Sequence, residues 1–109
     1  MTLVLPPIIA AFVVAKNAHD AAAFAACFAP DAVVHDEGRE HRGVPAITAW
    51  FIEVTQKYRV TMTVTEMLVQ RGERILAADI AGDFPGSPIT LHYGLTIKRG
   101  PITALTIGD

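Results

Sequence analysis

The sequence has 109 residues, which suits one domain and excludes a two-domain arrangement. Lysine and arginine number 9 against 11 acidic residues, giving a net charge of −2 without a basic stripe, so nothing supports binding to a nucleic-acid backbone. Hydrophobic residues make up 51% of the chain and charged residues 18%, which excludes a disordered chain. Because so small a domain leaves much apolar surface uncovered, we expect an apolar pocket, a subunit interface or both.

The beginning of the chain raises the question of a membrane or secretory segment. Residues 3–15 are largely apolar, but a membrane-spanning helix needs about 20 such residues. The segment has no basic leader, and Pro6 and Pro7 interrupt it, which argues against a secretory signal. The single cysteine, Cys27, cannot form an intramolecular disulfide, and we expect it to be a small residue of the core. We therefore expect a cytoplasmic protein without a membrane partner.

The first part of the chain predicts two helices. Pro6 and Pro7 suit a first helical turn, and the helix is expected to run to about Ala18. Its apolar residues recur at helical spacing: Ile8, Ile9, Phe12 and Val13. Asp20 is a good N-cap for a second, short helix, which Pro30 would end.

A short strand and a third helix follow. The strand is predicted over Ala32–Asp36, and a polar turn then returns the chain toward Gly43. Pro45 suits the first turn of the third helix. This helix has the clearest apolar stripe in the chain: Ile47, Trp50, Phe51, Val54 and Tyr58.

Beyond Tyr58 the hydrophobic period becomes two, which is typical of strands. The alternation blurs at Met67–Val69, where we expect a bulge. Three further strands are predicted, over residues 74–83, 89–97 and 102–107. Helices thus precede most of the strands, so the sequence predicts the α+β class with an antiparallel meander.

Three stretches, in this order, resemble the nuclear-transport-factor-two-like superfamily and, within it, the SnoaL-like and ketosteroid-isomerase-like proteins. They are Ala15–Asp20, Phe28–Asp36, and Arg42–Ile47 leading to Trp50. The resemblance covers nearly the whole chain. It implies a cone-like, curved antiparallel sheet wrapped around the three helices of the N-terminal half, with a pocket inside. It also implies a dimer interface on the outer sheet face, so we expect a homodimer.

The same resemblance implies a chemistry. In the isomerase-like members a carboxylate at the end of the first strand is the general base, and the matching residue is Asp36. Those enzymes hold the developing enolate with a tyrosine on the first helix and a protonated aspartic acid on a late strand. The first of these positions falls on Phe12, which has no donor, and the second falls near Tyr93. Phe12 therefore argues against steroid isomerisation itself, although Tyr93 could supply one hydrogen bond.

Strand alternation gives an independent view of Asp36 and Tyr93, our candidate catalytic residues. Asp36 shares parity with Ala32 and Val34, so its carboxylate reaches the cavity if those two face inward. The alternative is a solvated aspartate at the start of the turn. Tyr93 has the parity of inward-facing residues, and its buried hydroxyl would need a partner from the protein or from a ligand.

Phe12, Trp50 and His41 are the candidate pocket residues. Trp50 is either a stacking wall for a flat ligand or a core residue. His41 belongs to the hairpin His35–His41, whose two imidazoles and three carboxylates invite a metal-site interpretation. Their spacing matches no recognised ligand set, and alternate residues of a hairpin face opposite sides, so we expect a solvated loop and no metal.

Two classes of function remain. In the first, Asp36 moves protons on a small, largely apolar carbonyl or polyketide-like substrate without a cofactor, as an isomerase or cyclase does. In the second, the pocket binds a small apolar ligand, or the dimer serves interaction, without catalysis. Polar groups that converge on Asp36 would favour chemistry, whereas an entirely apolar lining would favour binding.

Overall fold

A computed structural model describes residues 4–108, so Leu3 of the predicted apolar stretch lies outside the described residues. Within this range the helices are α1 (Pro7–Ala18), α2 (Ala21–Ala25) and α3 (Val44–Tyr58). The strands are β1 (Phe28–Asp36), β2 (Arg39–Arg42), β3 (Thr61–Gln70), β4 (Glu73–Ala81), β5 (Ile89–Ile97) and β6 (Ile102–Gly108). This order confirms the predicted α+β class. None of the helices in residues 4–108 is long and apolar enough to cross a membrane.

Of the two predicted boundaries of α2, the start is confirmed and the end is wrong. The Asp20 carboxylate accepts a hydrogen bond from the backbone N–H of Ala23 at 3.1 Å, which confirms the predicted cap. Pro30, however, does not end α2, because it already lies within β1. The pairing of β1 with β6 shifts register between Phe28 and Val33, so a residue without an N–H is tolerated there.

The six strands form one curved, unclosed sheet in the order β2-β1-β6-β5-β4-β3. The predicted antiparallel meander is confirmed for β3 to β6. One pair departs from the antiparallel expectation, because β1 runs parallel to β6, with Val34 opposite Leu105. The bulge in β3 lies between Val64 and Glu66, and pairing then continues regularly to Gln70, so its predicted position near residue 67 was wrong.

An aromatic cluster packs the three helices against β1 and the rest of the sheet. The rings of Phe24 on α2 and Phe51 on α3 stack at 3.9 Å, and Phe12 on α1 lies 5.4 Å from Phe24. Phe28 at the start of β1 completes the cluster, 5.1 Å from Phe24. Aromatic rings bury large areas, so this cluster fixes the helices relative to the first strand.

The end of α1 is tied to the edge strand β3 by side-chain hydrogen bonds. The Asn17 amide donates to the carbonyl oxygen of Met62 at 2.9 Å and accepts from its N–H at 2.7 Å. His19 Nε2 lies 2.8 Å from the carbonyl oxygen of Val60. These contacts satisfy backbone groups that β4 does not reach, and they hold the last turn of α1, which contains Lys16, against the sheet.

Gly82 allows β4 to pass close to the end of α3. A Cβ atom added there would lie 2.6 Å from the Tyr58 carbonyl oxygen and 2.9 Å from a Val60 methyl group. We expect Gly82→Ala to lower the free energy of unfolding by about 1 to 3 kcal/mol through overpacking, as measured by urea unfolding. Gly108→Ala is the control, because an added Cβ meets no atom within 4 Å there. Equal losses in both variants would contradict the prediction.

Candidate functional site

A cavity of about 290 Å³ lies between the helices and the concave face of the sheet. Most of its lining is apolar: Val54, Val60, Ile80, Phe84, Pro85, Ile89, Leu91 and Ile107. Polar or amphipathic side chains complete it: Lys16, Asp36, Glu37, Trp50, Tyr58 and Tyr93. An apolar cavity with a few polar groups is the usual form of a small-molecule site.

Asp36 lies on the cavity wall at the end of β1, where the chain turns into β2. Ala32 and Val34, which share its strand parity, are fully buried, so β1 presents the face expected from the alternation. The Asp36 Oδ2 atom accepts a hydrogen bond from Trp50 Nε1 at 3.1 Å. This bond orients the carboxylate and satisfies the indole N–H. Trp50 is thus both a wall of the cavity and a positioning partner of Asp36.

Lys16 is the functional candidate that the sequence analysis missed. It is only 5% exposed and lies on the buried face of α1, four residues after Phe12. Its Nζ atom is 5.7 Å from the centroid of the Tyr93 ring. Burial lowers the pKa of the Lys16 ammonium to about 8, although the negative charge of Asp36 opposes this effect. The helical stripe through Ile9 and Phe12 reaches Lys16 at the next turn, and that spacing was the available signal.

Tyr93 lies on β5, is 2% exposed and faces the same cavity. Burial raises the pKa of its hydroxyl well above the usual value, and the charge of Asp36 raises it further. The hydroxyl therefore remains a neutral hydrogen-bond donor at physiological pH. Asp36 influences the pKa of both Lys16 and Tyr93, so the three groups converge electrostatically.

Two of these groups are available to a ligand. Among the described residues, no hydrogen-bond partner or direct ion pair engages the Lys16 ammonium, and no hydrogen bond engages the Tyr93 hydroxyl. Every fully buried side-chain nitrogen or oxygen in residues 4–108 does have a partner. The Lys16 and Tyr93 polar atoms must therefore reach the open space of the cavity.

The other two predicted pocket residues lie outside the cavity lining. Phe12 is fully buried among the core rings, and the ring of Tyr93 meets it edge-on at 6.3 Å. It does not line the cavity, because the face of α1 that does so begins one turn later, at Lys16. His41 stacks on Trp50 at 5.5 Å and lines a smaller neighbouring cavity of about 40 Å³.

The charged hairpin between β1 and β2 pairs its own charges. Arg42 lies 3.0 Å from Glu40, and this hydrogen bond lowers the pKa of the Glu40 carboxyl. His35 is 3.9 Å from the same carboxylate and is half-exposed. Across residues 4–108, no three His, Cys, Asp or Glu side chains are grouped in a way that could hold a metal ion.

The sequence profile of the SnoaL-like domain matches residues 9–99. The chain belongs to the SnoaL-like family. A solved structure of a proposed polyketide cyclase from Sinorhizobium meliloti is 40% identical to it, with 94% of each chain covered and a TM-score of 0.91. This SnoaL-like assignment confirms the family suggested by the sequence motifs. Among curated proteins, none matches the chain.

More distant structures share the SnoaL-like fold. One, from Catenulispora acidiphila, has a ketosteroid isomerase-like fold in complex with trimethylamine. It is 20% identical, with 97% of this chain and 87% of that chain covered and a TM-score of 0.85. Another is a computationally designed binder of 17-OHP, 19% identical, with coverages of 94% and 87% and a TM-score of 0.79. At these identities the likeness establishes the fold alone.

The buried charge of Lys16 has a measurable effect on stability. The pKa of Lys16 is about 8 in the folded state and 10.5 in the unfolded state. Between these two pH values the unfolded chain binds more protons than the folded chain, so the free energy of unfolding rises with pH. We expect Lys16→Met to increase the free energy of unfolding by up to about 3 kcal/mol near pH 7. The gain should shrink to below about 1 kcal/mol near pH 10 and vanish above pH 10.5, the unfolded-state pKa.

Urea unfolding of both proteins at several pH values measures this effect. Lys57→Met is the matched control, because Lys57 is exposed at the end of α3. A pH-independent gain, or an equal gain in the control, would contradict the assignment to Lys16.

Proposed function

We propose that the protein binds a small, largely apolar carbonyl compound in the cavity and moves a proton on it, with Asp36 as the general base. The reaction class is a cofactor-independent isomerisation or cyclisation. The observation that carries this proposal is the convergence of Asp36, Tyr93 and Lys16 in an otherwise apolar cavity. A site for binding alone has no need of a half-buried carboxylate beside two unused donors.

The first step follows from the placement of these groups. The Asp36 carboxylate, oriented by the Trp50 N–H, takes a proton from the carbon next to the substrate carbonyl. The electron pair of the broken C–H bond moves to the carbonyl oxygen, which becomes an enolate. The neutral Tyr93 hydroxyl donates a hydrogen bond to that oxygen, and the positive charge of Lys16 stabilises it in a low-dielectric surrounding.

The second step decides between the two reaction types. If Asp36 returns its proton to another carbon of the enolate, the product is an isomer. If the enolate carbon instead attacks a second carbonyl group of the same molecule, a ring closes and Asp36 protonates the new alkoxide. The likeness to the Sinorhizobium meliloti protein supports the carbonyl class of substrate. The apolar lining suits the hydrocarbon part of such a molecule.

Small-ligand binding without catalysis is the second candidate. Two observations favour it: Phe12 replaces the donor of the isomerase-like proteins, and a designed 17-OHP binder shares the fold. The two candidates differ in whether Asp36 is needed after the ligand has bound.

Asp36→Asn separates the two candidates, because the amide keeps the shape of the side chain and removes the base. The assay follows exchange of α-protons for deuterium in a panel of cyclic ketones and 1,3-diketones by NMR. Trp50, the only tryptophan, lies in the cavity wall, so its fluorescence reports binding. We expect Asp36→Asn to slow exchange by at least about 100-fold and to change the dissociation constant by less than about tenfold.

The matched control is Asp79→Asn, because Asp79 is an exposed carboxylate on β4 that accepts a hydrogen bond from Thr90. This control should exchange the α-protons at the wild-type rate. Wild-type exchange in Asp36→Asn would rule out the catalytic role and leave the binding function.

The proposal includes a homodimer formed through the outer face of the sheet, with a second copy of this chain as the partner. A shallow groove of about 450 Å³ crosses β3, β4 and β5 on this face. Its apolar side chains include Leu68, Ile75 and Ala77. Leu68 is 58% exposed. An apolar sheet face of this kind is typical of subunit interfaces.

Leu68→Lys tests this interface. Light scattering at micromolar concentration should give the mass of a dimer for the wild type and of a monomer for Leu68→Lys, because the lysine charge would lose its water on association. Val14→Lys, which places the same charge at an exposed apolar position on α1, should leave the dimer intact. A monomeric wild type would refute the proposed dimer.

A further inference from the structure

We propose that Lys16 is a nucleophilic lysine that forms a reversible imine with an aldehyde or ketone in the cavity. The proposal rests on the proposed function only for the carbonyl class of ligand. It adds a covalent step that the role of Asp36 as a base does not require.

The surroundings of Lys16 favour this role. Its Nζ atom lies over the Tyr93 ring, 5.7 Å from the centroid, and opens into the apolar cavity. A buried ammonium group usually forms a hydrogen-bonded ion pair with a carboxylate, because an unpaired buried charge is costly. Lys16 has no such direct partner within the described residues. The environment therefore shifts the equilibrium toward the uncharged amine, which is the reactive form.

Lys57 provides the contrast within the same chain. Its Nζ atom also lies over a tyrosine ring, 5.0 Å from the centroid of Tyr58, but the side chain is exposed. The pKa of Lys57 is raised, mainly by its hydrogen bond with Tyr58, whereas burial brings that of Lys16 to about 8. At pH 7 about one tenth of the Lys16 side chains are therefore neutral, and a far smaller fraction of Lys57.

Four ionisable groups face Lys16 across the cavity: Asp36 and Glu37 at the β1 turn, Tyr58 on α3 and Tyr93 on β5. Of these, the charge of Asp36 raises the pKa of Lys16. This effect is smaller than the lowering caused by burial, so the pKa stays below its ordinary value of 10.5. Tyr93 stays protonated because burial and Asp36 raise its pKa. Two opposing effects thus determine the pH at which the Lys16 amine loses its proton: burial lowers this pH, and the charge of Asp36 raises it.

The imine step balances without an oxidant, a reductant or a cofactor. The lone pair of the neutral Nζ attacks the carbonyl carbon, and the C=O electron pair moves to oxygen, which gains a proton as nitrogen loses one. The C–O bond of this carbinolamine then breaks, nitrogen loses its second proton, a C=N bond forms and water leaves. Asp36 can carry protons from nitrogen to oxygen, and Tyr93 can donate a hydrogen bond to that oxygen.

Reductive trapping tests the proposal on the wild-type chain. The protein is incubated with benzaldehyde and sodium cyanoborohydride, which reduces an imine to a stable secondary amine, and the benzylated lysines are located by peptide mass spectrometry. We expect Lys16 to be labelled at least about tenfold faster than Lys57 and Lys98 at neutral pH, with its rate levelling off above about pH 8. The rate at Lys57 should still rise at that pH.

Two variants complete the experiment. Lys57→Met should leave the labelling of Lys16 unchanged, and Lys16→Met should leave the labelling of Lys57 unchanged. Labelling of Lys16 no faster than that of Lys57 and Lys98 in the wild type would overturn the proposal.

The outcome is separable from that of the proposed function. Selective labelling of Lys16 together with normal α-proton exchange in Asp36→Asn would support the imine and refute Asp36 as the base. Loss of exchange in Asp36→Asn without selective labelling would refute the imine and support Asp36.

Discussion

The burial of one lysine charge in an apolar cavity is the constraint on which the rest of the site depends. Such a charge is costly unless other groups compensate it, and here the compensation acts through space, from the carboxylate of Asp36 and the ring of Tyr93. Three different elements must therefore hold these groups in place. Asn17 bonds the last turn of α1 to β3, Trp50 orients Asp36, and the strand ladder fixes Tyr93.

Resemblance alone would assign the polar group of α1 to the position of Phe12. In this chain that position belongs to the aromatic core, and the polar group lies four residues later, at Lys16. A shift of four residues moves it about 6 Å along the helix axis. The site therefore keeps the carboxylate at the end of β1 but opposes it with an amine on α1 instead of a phenol. The same fold can thus present a different chemistry to a ligand.

Local patterns in the sequence predicted the order of the elements, the cap at Asp20, and the strand faces that carry Asp36 and Tyr93, because helical and strand periods are properties of neighbouring residues. The parallel pairing of β1 with β6 could not be predicted this way, since it joins distant parts of the chain. Lys16 was missed because a lysine is ordinarily solvated. Only the packing of α1 against the sheet decides that this one is buried.

The pairing of β1 with β6 also sets the order in which the sheet can be completed. β1 and β2 leave the ribosome early, but β1 obtains its second neighbour only when Ile102–Gly108 has emerged. Until then the early hairpin and the later meander are not joined into one sheet, and the cavity between them has no continuous wall. The cavity is therefore completed in a step that closes a long loop of the chain, after both the early hairpin and the later meander have been made.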